Sequence, residues 1–149
     1  MNWKKTIVFI GVGFVAWLLL SVYTSLLLDI RLAASRLDVN QMTMLHIYAM
    51  IVCFLFGVLL EWKQLVSLFS NKISVKISSK LILGVILLLI SLLPPVFYVM
   101  QFSSLHMPFP KGGVGINMVF GLFNQFSNVQ AILSVVAGTL VIKGLGQID

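Results

Sequence analysis

Four stretches without a single Asp, Glu, Lys or Arg, at residues 6–28, 39–60, 81–110 and 112–142, make up most of this chain. Each supplies the roughly 20 apolar residues that a helix needs to cross a bilayer core. The pattern predicts an all-α membrane protein, a bundle of four transmembrane helices with spans at about 6–28, 42–60, 81–101 and 116–142. Composition points the same way. The chain is 60% hydrophobic and 9% charged, with a mean hydropathy of +1.08, against about 25% charged residues in soluble domains. With 149 residues and short connections there is room for a single membrane domain over 1–149 and no separate soluble one, so any activity must lie in the membrane or in short loops. Most enzyme classes are thereby excluded.

Basic residues set the expected orientation, because Lys and Arg collect on the cytoplasmic side of short loops. An even number of spans puts Lys4, Lys5, Lys63, Lys72, Lys76, Lys80 and Lys143 on one side, and Arg31, Arg36 and Lys111 on the other, with Asp29 and Asp38 beside them. The N- and C-termini are therefore expected to be cytoplasmic, in a multi-pass protein of the cell (plasma) membrane. The net charge of +6 is a topology signal, and no nucleic-acid partner is expected. The first span follows Lys4 and Lys5 like a signal peptide, but it outruns the ~7–15 apolar residues of a signal h-region and lacks a clean cleavage site. It reads as an uncleaved anchor.

Between the second and third spans, Trp62, Leu65, Val66, Phe69 and Ile73 recur at helical spacing opposite Lys63 and Lys72. The cytoplasmic loop is thus expected to carry an amphipathic helix on the inner surface, with Ser78 or Ser79 capping the next helix. In the outer connection, Ile30, Ala33, Ala34 and Leu37 fall near one face, and Asp38, Asn40 or Thr43 can start the second helix.

The fourth span carries a stripe of Asn117, Gly121, Asn124, Asn128, Ala131 and Gly138 in steps of three, four or seven, widened by Gln125, Ser127 and Gln130. Small residues allow close backbone approach and amides hydrogen-bond across helix contacts, so the candidate seam Asn117, Asn124, Gln125 and Asn128 reads first as structural glue. The competing reading is the lining of a path, since polar groups at membrane depth need protein or water partners.

In the third span Pro94 and Pro95 lack N–H groups, which predicts a kink and frees the carbonyls of Ile90 and Ser91. Counted along the helices, the prolines match Asn124 and Gln125 in depth, so an Asn or Gln amide is expected to reach those carbonyls. The second span offers Ala49, Cys53, Gly57 and Glu61 at successive i+4 positions, a candidate helix-contact ridge ending in a carboxylate that reads as interfacial. Cys53 is the one cysteine and reads as a packing thiol. His46 and His106 read as interfacial histidines, for two residues without further ligands make a poor metal or haem site. No cofactor is expected.

The glycine-rich KGGVG at 111–115 lacks the phosphate-loop spacing, and no H-E-x-x-H or G-x-S-x-G is present. The function expected is that of a non-enzymatic membrane protein, an accessory or immunity-type subunit acting through helix–helix assembly. Its partners are the lipid bilayer and other membrane helices, in a homo- or hetero-oligomer. The alternative is a subunit of a small oligomeric channel or transporter lined by the polar face of the fourth span.

Overall fold

The computed structural model describes residues 3–36, 38–70, 78–102 and 113–145, with side chains for 3, 6–36, 38, 40–68, 78–92 and 128–145. Within them the chain is all helix: α1 (Trp3–Ser35), α2 (Val39–Leu60), α3 (Trp62–Ser70), α4 (Ser79–Phe102) and α5 (Gly113–Leu145). Among the described residues three apolar stretches are long enough to cross a membrane, Thr6–Ser35, Asn40–Leu60 and Asn128–Leu145, and a fourth, Ser79–Leu92, is shorter. This all-helical architecture is compatible with a helical membrane bundle.

Helix ends follow local chemistry. Asp38 caps α2, its Oδ1 accepting from Gln41 N–H at 3.0 Å, which satisfies one of the donors a helix start leaves unpaired. Before it, α1 does not stop at the charged Asp29 but runs on to Ser35, because Ala33 is buried against Met42 and draws in Ala34 and Leu45. At the other end of α2 the helix breaks at Glu61, whose N–H still bonds to Val58 O, and α3 follows as a separate amphipathic helix. Ser78 opens α4, accepting from Leu81 N–H at 3.3 Å while its own hydroxyl donates to Gly144 O at 3.0 Å.

In packing, α2 is the hub: α1 lies against it, and so do α5 and α4, which also pack on each other. Small residues make this closeness feasible. A Cβ on Gly57 of α2 would collide with the Val135 carbonyl of α5, and one on Gly138 of α5 with the Phe54 carbonyl of α2. Between α4 and α5, Gly84 of α4 faces Val141 and Ala137, and Gly144 of α5 faces Leu81. The buried interior holds Ala137, Ser134, Ser91 and Gln130, while Phe9, Ile10, Phe14 and Trp17 are exposed on α1. Large apolar residues outside and small or polar ones inside invert the order of a water-soluble protein.

Candidate functional site

The Ser78–Gly144 hydrogen bond joins the end of α5 to the start of α4 and sets the register of the antiparallel pair. Ser91 lies thirteen residues past Ser78, and thirteen residues back from Gly144 is Ala131, so Ser91 and Gln130 stand at one level. There Gln130 Nε2 donates to the Ser91 carbonyl at 3.0 Å, and both residues are buried. This is one of the carbonyls for which Pro95, lacking an N–H, provides no helical partner. The two serines of the knot turn their hydroxyls onto their own helices: Ser134 donates to Gln130 O at 2.8 Å and Ser91 to Leu88 O at 2.7 Å. The helix α4 itself continues through Pro94 and Pro95 to Phe102.

Facing the other side of α5, Ala49 and Cys53 are buried and Gly57 approaches the α5 backbone. The ridge ends at Glu61, whose Oε1 lies 2.9 Å from Lys143 Nζ. This ion pair joins the α2–α3 junction to the last turn of α5. Beside it Trp62 meets Phe9 of α1 edge to face, with ring centroids 6.5 Å apart. Near the opposite end of α2, His46 is buried and its Nδ1 donates to Met42 O at 2.8 Å.

Of the residues singled out from sequence, Asn128 is exposed and lies off the packed face of α5. The side chains of Asn117, Asn124, Gln125, Pro94 and Pro95 lie outside the described residues, as do His106 and the Lys111–Gly112 start of the glycine-rich stretch. Among the described residues no three His, Cys, Asp or Glu side chains converge as a metal site would require.

One feature escaped the sequence reading, since it arises from three helices at once. Between α1, α2 and α5 lies an open cleft of about 350 Å³, lined by Leu19, Tyr23, Val52, Phe56, Ile132 and Val136 among others, with no charged group in its wall. A smaller pocket, sharing Tyr23, Cys53 and Ala131 with it, reaches His46 and Gln130. Family models, characterised proteins and solved structures were all compared with the chain, and none matches it.

Proposed function

We propose that this chain is a multi-pass membrane protein with four membrane-spanning helices and cytoplasmic termini, acting without catalysis as an accessory or immunity-type subunit that assembles with other membrane helices. The observation that carries this reading is the position of α1. Among the described residues its one extended contact is with α2, and none of its apolar window is buried. A helix so attached leaves most of its circumference for neighbours. The polar groups of α5 at 130 and 134 support the same reading, since both are engaged within the chain, Gln130 as glue to α4 and Ser134 within α5 itself.

One observation favours the second reading, a path lined by α5 in an oligomer: Asn128, in the polar part of α5, is exposed. At membrane depth such an amide needs a helix or water for a partner. Substituting Asn128→Leu separates the two. An assembling subunit loses co-purification with its partner helix or second copy while the isolated chain keeps its helicity, and liposome flux is absent before and after. For a path, the wild-type chain conducts and the substitution changes what passes. Unchanged assembly with no flux in either protein would remove Asn128 from both readings.

A further inference from the structure

One end of the cleft lies toward the most basic part of the described chain, and on α5 the cleft and Lys143 share a face. On α5, Ile132, Val136 and Lys143 are spaced by four and seven residues, which at 3.6 residues per turn keeps them within about 40° of one another. On α1, Phe9 and Leu20 are eleven residues apart and share a face by the same count, and Phe9 touches Trp62, the neighbour of Lys63. Lys143 and the Phe9–Trp62 pair thus lie further along the helix faces that line the cleft. Because the helix rises about 1.5 Å per residue, Val136 and Ile132 lie roughly 10 and 17 Å above Lys143. That is the depth reached by the acyl chains of one leaflet, half of a core about 30 Å thick.

We propose that this groove holds an anionic glycerophospholipid, its headgroup bound by Lys143 and Lys63 and one acyl chain lying in the cleft between α1, α2 and α5. Charge selects the headgroup. An ammonium has three donors; Lys143 directs one at Glu61, and 44% of its side-chain surface stays open. Lys63, two residues on from Glu61, is exposed, and Lys80 is exposed at the same end. Glu61 is the one acid at this end among the described residues, and it is matched by Lys143, so the surplus is positive. Trp62 supplies the amphipathic ring that favours headgroup level. Volume selects the chain. About 350 Å³ is at the small end of the ligand-site range, whereas a helix 10–12 Å across occupies roughly 1,000 Å³ over two turns. A single flexible hydrocarbon chain fits where a helix does not.

The proposal rests on the membrane reading of the chain and not on which end is cytoplasmic. It is tested with the purified full chain in a neutral detergent, offered phosphatidylglycerol or phosphatidylcholine with identical acyl chains, and read by native mass spectrometry as lipids retained per chain. The wild type retains phosphatidylglycerol in preference, the preference falls about fivefold for each of Lys63→Gln and Lys143→Gln, and Val136→Trp, which fills the cleft, lowers retention of both lipids. Circular dichroism establishes that each variant is folded, and Val136→Phe replaces the tryptophan variant should that one lose helicity. Equal retention of the two lipids by the wild type, or undiminished preference in the double glutamine variant, overturns the headgroup site. Phosphatidylglycerol retention that survives filling the cleft overturns the acyl-chain site. Failure of the membrane reading shows itself separately, as extraction of the chain from membranes without detergent.

Discussion

Gln130 meets, on a neighbouring helix, a need that the sequence of α4 creates. Pro95 leaves the Ser91 carbonyl without its helical donor, and in a medium without water that omission is costly. Replacing Gln130 by Leu is expected to lower stability in detergent by about 0.6–1.7 kcal/mol, the range for interhelical hydrogen bonds in membranes. The cause is checked by a double-mutant cycle. In a Pro95→Ala background Ser91 O regains an intrahelical N–H, so Gln130→Leu should cost measurably less there, and strictly additive costs would mean that the proline is irrelevant to the bond. The need for an amide is readable from Pro94-Pro95, but a depth match taken at the prolines points to Asn124 and Gln125. The freed carbonyls lie four residues earlier on α4, hence about four residues later on the antiparallel α5. Taken from the carbonyls instead, the count reaches the neighbourhood of Gln130, which by sequence only widens the polar face.

At the scale of the helix, α5 has two contact lines rather than one. Val135 and Gly138 face α2, while Ala137, Val141 and Gly144 face α4 and continue the line of Gln130. The stripe through Ala131 and Gly138 lies nearer the first; the second, at 130, 137 and 144, is a strict seven-residue repeat that went unread because it mixes an amide with alanine and glycine. A helix held on both sides tolerates little added volume. Gly57→Ala puts a methyl into the Val135 carbonyl, a backbone atom that moves only if α2 and α5 separate, and it should destabilise by about 1–3 kcal/mol or more. Thermal unfolding in detergent measures this, with Gly11→Ala on α1 as control, because nothing lies within 4 Å of a Cβ there. Helix propensity alone favours Ala over Gly, so Gly11→Ala should be neutral or stabilising, and a Gly57→Ala that is equally harmless would sink the close-approach account. The extension of α1 beyond residue 28 was not legible in the charge-free run. Asp29 and Arg31 end that run without ending the helix, since the packing of Ala33 on Met42, and not hydropathy, decides where the helix stops.

For the whole molecule, the placement of charge gives the last prediction. Contacts between Glu61 and Lys143 and between Ser78 and Gly144 gather Lys63, Lys80 and Lys143 at one end of the bundle. Arg31 and Arg36 belong to the opposite end, where α1 turns into α2 through Asp38. Seven basic residues against three along the whole chain is the bias by which short loops are retained in the cytoplasm, and each lysine near an anionic inner surface contributes about 1 kcal/mol. Reporter fusions at residue 149 and within residues 70–75 should therefore both report cytoplasm, and a fusion near residue 37 the opposite compartment. An external signal from residue 149 alone would mean an odd number of spans, with α4 or α5 failing to cross; external signals from both 149 and 70–75 would invert the bundle. The discriminating helix is α4 (Ser79–Phe102), which the Gln130 bond and the glycine contacts hold against α5. Adding Gln130→Leu to the residue-149 fusion then asks whether packing, and not hydropathy alone, holds α4 across the bilayer: a reporter that changes sides on this substitution makes insertion dependent on the seam, and one that does not leaves the seam a matter of stability within a topology set by charge.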